Sequence, residues 1–191
     1  MQTRPTRVEE SAMRLFVALP VPEPVAEALS VPYFGIPGAR WMAPGPFHLT
    51  LRFLGEVAPA QALDVADALA SIHLPPFPLA LKGVGHFPPR GSPKVLWAGV
   101  APSEPLLRLQ QRIERAMTHA GCEPDPRRFH PHITLARLSP GTRTDRVAAF
   151  LAMYALFATE PFEVQEFGLY SSVLREEGAL HVMEQAYPLD D

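Results

Sequence analysis

Two short stretches of the sequence carry histidine and threonine at the same spacing. They are His48-Leu49-Thr50-Leu51 in the first half of the chain and His132-Ile133-Thr134-Leu135 in the second. Imidazole titrates near neutral pH and can take up or release a proton, and a threonine hydroxyl can donate a hydrogen bond. The two stretches therefore offer two acid–base groups and two short donors.

Both stretches are expected to be β-strands, because their polar and apolar residues alternate with a period of two. In such a strand His48 and Thr50 project from one face, while Leu49 and Leu51 project from the other. The second stretch is arranged in the same way. We expect the apolar faces to be buried and the polar faces to meet across a cleft between two lobes.

Two imidazoles on opposite sides of a phosphorus atom suit the hydrolysis of a cyclic phosphodiester. A neutral imidazole takes a proton from water, the water attacks phosphorus, and a protonated imidazole gives a proton to the departing ribose oxygen. The hydroxyls of Thr50 and Thr134 can stabilise the phosphoryl oxygens as these gain charge in the transition state. The residues alone leave open which histidine is the acid and which is the base.

The elements around these strands occur in the same order twice, which indicates an internal duplication. The halves, about 13–92 and 93–191, are each expected to form one lobe with a mainly antiparallel sheet and helices on one face, a bilobal α+β fold within a single domain. Residues 1–12 are expected to be an N-terminal tail. Strands are predicted at 14–19, 47–53, 77–84, 94–100, 130–136, 162–170 and 180–187, helices at 23–29, 60–72, 103–120 and 146–157, and a turn at 176–178.

Composition indicates a globular protein rather than a disordered one. The chain has 191 residues, 47% of them apolar, and its net charge of −3 argues against a protein that coats duplex nucleic acid. Cys122 is the only cysteine, so no disulfide framework or cysteine-rich zinc site is expected, and a reducing cytoplasm fits. No apolar run is long enough to span a bilayer, and we expect a cytoplasmic monomer without a membrane partner.

The sequence resembles the 2H phosphoesterase superfamily, and within it the bacterial and archaeal RNA 2′,3′-cyclic phosphodiesterases, formerly called 2′-5′ RNA ligases. The resemblance runs from about residue 13 to residue 189. It rests on the two H-x-T-L stretches and on further sequence segments that are similar in that family, namely Arg14-Leu15-Phe16-Val17-Ala18-Leu19-Pro20, Arg40-Trp41, Arg52-Phe53-Leu54-Gly55-Glu56, Val95-Leu96-Trp97 and Ala136-Arg137.

This resemblance implies hydrolysis of a terminal 2′,3′-cyclic phosphate of RNA, or of a small cyclic nucleotide, to a 2′-phosphomonoester. It implies that His48 is the acid towards the 3′ oxygen and His132 the base towards water, with no metal and no cofactor. Arg137 matches an arginine that lies near the phosphate in the family. Its odd spacing from His132 would put it on the opposite face of a regular strand, so that role requires a bulge or a strand end.

Other interpretations of the same residues stay open. His130 and His132 can form a metal pair, since histidines two apart on a strand converge on one ion. The protein can also be a 2′-5′ RNA ligase, a phosphodiesterase for another cyclic nucleotide, or a binding module for RNA ends without catalysis.

Several residues outside the motifs also have two interpretations. Trp41, Phe47 and Trp97 can stack on a nucleobase or belong to the core. Arg127-Arg128 can steer RNA or form a solvated loop, and Tyr170 can contact a ligand at the cleft rim. The remaining histidines are expected to be ordinary surface or half-buried residues, namely His73, His86, His119 and His181.

Overall fold

The computed structural model describes residues 12–30, 35–43, 47–175 and 178–190. The predicted N-terminal tail, apart from Ala12, lies outside the described residues, as do Glu176 and Glu177 of the predicted turn. Within the described part, the chain forms ten strands and four helices. They are β1 (Met13–Pro20), α1 (Glu23–Ser30), β2 (Ala39–Trp41), β3 (His48–Val57), α2 (Pro59–Ala70), β4 (Phe77–Leu79), β5 (Leu81–Phe87), β6 (Val95–Val100), α3 (Glu104–His119), β7 (His132–Leu138), α4 (Thr144–Met153), β8 (Phe162–Val164), β9 (Glu166–Arg175) and β10 (Gly178–Pro188).

The strands form two antiparallel four-stranded sheets and one two-stranded sheet. One large sheet has the order β10-β9-β1-β3, and the other has the order β2-β7-β6-β5. The α+β class predicted from the sequence is therefore correct. The two predicted strands at 77–84 and 162–170 are each divided in two, because each changes sheet part-way along.

The two halves of the sequence do not each form their own sheet, and this part of the prediction is wrong. β5 follows β4 in the first half but pairs with β6, whereas β9 follows β8 in the second half but pairs with β1. β4 and β8 pair with each other where the chain changes sheet. The alternation of polar and apolar residues determines which face of a strand is buried, but it does not determine the partner strand. The exchange of β5 and β9 between the two large sheets therefore could not be predicted from the sequence pattern.

One apolar core holds the inward faces of both motif strands. Leu49 and Leu51 of β3, and Ile133 and Leu135 of β7, are no more than 3% exposed. Helices α2 and α3 contact each other and contribute buried residues to the same core. Burial of these alternate residues turns the opposite faces of β3 and β7 away from the core.

The longest helix, α3, has a sequence signal at each end. Ser103 is the N-cap, and its hydroxyl accepts a hydrogen bond from the backbone N–H of Leu106 at 3.3 Å. Just beyond the last turn, Gly121 has a φ of +78°, a conformation that favours glycine. The chain then runs through residues 122–131 into β7, which carries the second motif.

Candidate active site

The outward face of β3 carries His48 within a cluster of rings. The His48 ring lies 5.0 Å from Phe16, 5.0 Å from His181 and 6.2 Å from Tyr170, measured between ring centroids. We call these four residues the His48 cluster. Phe16 and Tyr170 are stacked at 5.3 Å, and burial raises the pKa of Tyr170 to about 12, so its hydroxyl stays protonated. Thr50 lies two residues from His48 on the strand and is half-buried.

The outward face of β7 carries a second group of rings around His132. Its ring lies 4.9 Å from Phe87, 6.1 Å from His130 and 6.4 Å from Trp97. We call these four residues the His132 cluster. Gly85 makes room for the indole, because a Cβ at that position would lie 2.2 Å from the Trp97 ring. Each motif histidine is thus held by aromatic side chains from neighbouring strands.

The orientation of His132 is fixed by a backbone contact. Its Nδ1 lies 2.6 Å from the carbonyl oxygen of His130. A carbonyl oxygen can only accept, so Nδ1 carries the proton and Nε2 keeps a lone pair. Burial lowers the pKa of His132 despite this hydrogen bond, which alone would raise it. The ring is therefore a neutral imidazole with one nitrogen ready to accept a proton.

A β-bulge in β7 brings Arg137 to the face that carries His132. The pairing with β6 passes from Trp97↔Thr134 directly to Leu96↔Ala136, which leaves Leu135 as the extra residue. Leu135 and Ala136 are both buried and Arg137 is exposed, so the alternation changes phase at the bulge. The bulge that the sequence required for Arg137 is present.

A matching bulge occurs in β3. Its pairing with β1 passes from Ala18↔Thr50 to Val17↔Arg52, and both Leu51 and Arg52 are buried. Phe53, five residues after His48 as Arg137 is after His132, is consequently on the outer face and 51% exposed. Its ring lies 5.9 Å from that of Phe16. At this equivalent position, β7 therefore carries the cation of Arg137 and β3 carries the aromatic ring of Phe53.

The two motif strands belong to different sheets but lie side by side. Cα atoms of β3 and β7 approach within 8 Å of each other. In addition, the positive charge of Arg137 on β7 helps to lower the pKa of His181, a member of the His48 cluster, although burial of His181 is the larger cause. Arg137 therefore lies within electrostatic reach of the His48 cluster.

A buried arginine ties β3 to the segment that leads into β7. Arg52 is 6% exposed, and its Nε lies 2.9 Å from Glu114 of α3. Its guanidinium also lies 3.3 Å from Asp125 and donates to the backbone carbonyl of Glu123. The guanidinium of Arg127 donates two hydrogen bonds to Asp125, at 2.9 and 2.8 Å, and these are the largest cause that lowers the pKa of Asp125 to about 2. These contacts fix the segment that positions His130 and His132.

The remaining sequence candidates fall in different places. Phe47 is buried, and Trp41 packs 5.7 Å from Phe150, as expected of core residues, whereas Trp97 belongs to the His132 cluster. Arg127 lies over the Phe53 ring at 5.9 Å and is paired with Asp125.

The sequence interpretation did not consider Phe87 of the His132 cluster, and it missed Phe16 and His181 as members of the site. Phe16 follows an apolar pattern typical of core strands, and His181 has no patterned neighbours. Both reach the site only through the pairing of β1, β9 and β10, which no local signal reveals.

Two properties of the described residues concern metal binding and membrane insertion. No group of three or more histidine, cysteine, aspartate or glutamate side chains lies close enough together there to hold a metal ion. None of the helices in that part of the chain is long and apolar enough to cross a membrane.

Comparison with known proteins agrees with this arrangement. Residues 33–175 match the profile of the 2′-5′ RNA ligase superfamily. The chain belongs to this superfamily. Among its relatives, the RNA 2′,3′-cyclic phosphodiesterase of Aeropyrum pernix is 33% identical over 153 residues, covering 80% of this chain and 86% of the relative. The protein of the same name from Archaeoglobus fulgidus is 31% identical over 172 residues, covering 88% and 96%.

Solved structures share the fold over nearly the whole chain. The protein TT0787 of Thermus thermophilus has a TM-score of 0.78 at 28% identity, covering 93% of this chain and 98% of that one. LigT of Escherichia coli complexed with 3′-AMP has a TM-score of 0.77 at 26% identity, covering 94% and 99%.

Proposed function

We propose that this protein hydrolyses the 2′,3′-cyclic phosphate at an RNA end to a 2′-phosphomonoester. The observation that carries the proposal is the pair of neighbouring strands β3 and β7, each with a histidine and a threonine on its outward face. Relatives that cover most of the chain bear the name RNA 2′,3′-cyclic phosphodiesterase, which supports this substrate class.

His132 is the proposed general base. Its Nδ1–H is held by the His130 carbonyl, so Nε2 is the nitrogen that takes a proton from the attacking water. Burial keeps the ring neutral near pH 7, which is the form that a base requires. The oxygen of that water forms the new bond to phosphorus.

His48 is the proposed general acid. It donates a proton to the ribose 3′ oxygen as the bond between phosphorus and that oxygen breaks, leaving the phosphate on the 2′ oxygen. In-line displacement needs the acid and the base on opposite sides of phosphorus. Two adjacent strands from different sheets can meet that requirement, whereas one strand cannot, so the duplicated motif is part of the mechanism.

Thr50, Thr134 and Arg137 are the proposed phosphate-binding residues. The hydroxyls lie two residues from each histidine on the same face, and they can donate to phosphoryl oxygens. Arg137, brought to this face by the bulge in β7, offers a planar fork of N–H donors and a positive charge for the same oxygens. Together these groups stabilise the charge that develops in the transition state.

The substrate is expected to be recognised locally rather than along a long basic surface. The net charge of −3 leaves no bulk attraction to nucleic acid, and the aromatic rings beside both histidines can contact a ribose or a base. A solved relative, LigT, holds the mononucleotide 3′-AMP. We therefore expect both RNA ends and small 2′,3′-cyclic nucleotides to be substrates.

The experiment compares two RNA oligonucleotides of one sequence, one ending in a 2′,3′-cyclic phosphate and the other in a 3′-phosphate, each incubated with the protein in excess EDTA. The proposal predicts conversion of the cyclic end only, at the same rate with and without EDTA. Binding of the cyclic end without conversion would favour a non-catalytic RNA-end module. Loss of turnover on chelation would favour the metal interpretation of His130 and His132.

A further inference from the structure

A third imidazole lies beside His48. His181 is on β10, opposite Ser172 of β9, and belongs to neither H-x-T-L motif. Its ring lies 5.0 Å from that of His48 and 5.1 Å from that of Phe16, at interplanar angles of 79° and 82°. The proposed acid, base and phosphate-binding residues therefore leave one imidazole of the His48 cluster without a role.

The two nitrogens of His181 are in different situations. Nδ1 is buried and, among the described residues, has no hydrogen-bond partner. A buried N–H without an acceptor is more costly than an unused lone pair, so the proton of the neutral ring belongs on Nε2. Burial and the nearby charge of Arg137 lower the pKa of His181, which favours that neutral ring. His181 is thus the opposite tautomer to His132 and has an N–H to donate from Nε2.

We propose that His181 is a substrate-binding residue that donates a hydrogen bond from Nε2 to a non-bridging oxygen of the bound phosphate. The inference rests on the proposed function and adds a residue to it. The ligand is a phosphate because His181 packs against His48 and is within electrostatic reach of Arg137, two of the groups around which the cyclic phosphate is expected. A neutral donor there adds a hydrogen bond without placing another positive charge next to Arg137 and a protonated His48.

A purely structural role of His181 would tolerate different substitutions than a hydrogen-bonding role. If the ring only packed against His48 and Phe16, phenylalanine would replace it well, since it keeps the shape of the ring. If the N–H from Nε2 matters, glutamine should replace it better, because its amide nitrogen reaches about as far along the side chain. Asparagine places its amide nearer the position of Nδ1. The three variants His181→Phe, His181→Gln and His181→Asn therefore separate packing from donation, and one nitrogen from the other.

The measurements are kcat/KM for an RNA oligonucleotide ending in a 2′,3′-cyclic phosphate and the Kd of adenosine 2′-phosphate by calorimetry. His181→Phe and His181→Asn are expected to lose about tenfold or more in both, and His181→Gln less than about threefold. Binding of unphosphorylated adenosine should not change. His86→Phe is the matched control, because His86 also has a buried, unpartnered Nδ1 within the described residues but belongs to neither cluster. It should match the wild type.

The outcomes separate this inference from the proposed function. Two results would overturn the role of Nε2 without affecting the proposed hydrolysis. One is a kcat/KM and a Kd of His181→Phe equal to those of the wild type. The other is a His181→Asn variant that is more active and binds more tightly than His181→Gln. Failure of the wild type to turn over the cyclic end would refute the proposed function, and the Kd values would then still decide whether His181 contacts the phosphate. If the wild type binds no 2′-phosphate either, the inference is wrong. If His181→Phe does not fold, the comparison of glutamine with asparagine decides the question.

Discussion

The Nδ1 atom of His132 donates to the carbonyl oxygen of His130 across 2.6 Å, so a backbone group two residues away selects which nitrogen of the ring can accept a proton. The contact stays within the segment that enters β7. It requires no second side chain to orient the base, unlike sites in which a carboxylate holds the histidine.

The pH profile should report this neutral base. Because burial lowers the pKa of His132, its neutral form persists to lower pH than that of a free histidine, and activity is lost only as pH falls through the lowered pKa. We expect the acidic limb of the kcat/KM profile to have its midpoint below the ordinary histidine value of about 6.5. Its measurement with a cyclic-phosphate oligonucleotide checks this, and a midpoint above about 7 would contradict the assignment.

Removal of either motif histidine should cost most of the activity. General acid–base catalysis contributes about 100- to 10,000-fold, so His48→Ala and His132→Ala are each expected to lose that much in kcat. The double variant should lose less than the product of the two, because the groups act in one step. The exposed His73, which pairs with Asp190 at 2.9 Å, provides the control variant His73→Ala, and unchanged turnover in either motif variant would refute the mechanism.

Arg137 should contribute through both charge and geometry. Arg137→Ala is expected to lower kcat/KM by about 10- to 100-fold, since a charged hydrogen bond contributes about 1.5–3 kcal/mol. Arg137→Lys should recover only part of this, because an ammonium group lacks the planar fork. The exposed Arg108, which pairs with Glu104 on α3, supplies the control variant Arg108→Ala. Equal kcat/KM for Arg137→Ala and Arg108→Ala would show that Arg137 does not bind the phosphate.

The buried Arg52 should matter for stability. Arg52→Met removes the cation that Glu114 and Asp125 share, and we expect a loss of about 2–3 kcal/mol in the free energy of unfolding, below the value for fully buried pairs because both partners are partly exposed. Urea unfolding of the wild type and of Arg52→Met measures this difference in the free energy of unfolding. Arg127→Ala, which removes an exposed partner of the same Asp125, should cost less than about 1 kcal/mol. Equal losses in the two variants would contradict a special role for burial.

Period-two alternation and the H-x-T-L repeat are local signals, so the sequence predicted the strand segments other than the three-residue β2, and the buried faces of the two motif strands. Leu49 and Ile133 are buried and His48 and His132 are on the opposite faces, as that pattern requires. The α+β class follows from the same segments. These features depend on which residues are adjacent in the chain.

The features that the sequence could not supply depend on pairing between distant segments. The exchange of β5 and β9 between sheets follows from contacts such as Phe77↔Val164, which have no local signature. The bulge in β3 is also set by pairing, since it appears only against β1, and the bulge in β7, which the role implied for Arg137 required, could be located only against β6. The position of His181 shows this most clearly, because His181 lies beside His48 only when β10, β9, β1 and β3 are paired in one sheet.

The position of the phosphate in the product tests the central claim most directly. If His48 protonates the 3′ oxygen while water activated by His132 attacks phosphorus, an RNA 2′,3′-cyclic phosphate yields a 2′-phosphomonoester and a free 3′ hydroxyl. Phosphorus NMR of the product, read against authentic 2′- and 3′-phosphates, distinguishes the two isomers. A 2′-phosphate alone is the predicted result, and a 3′-phosphate would contradict the roles assigned to the two histidines.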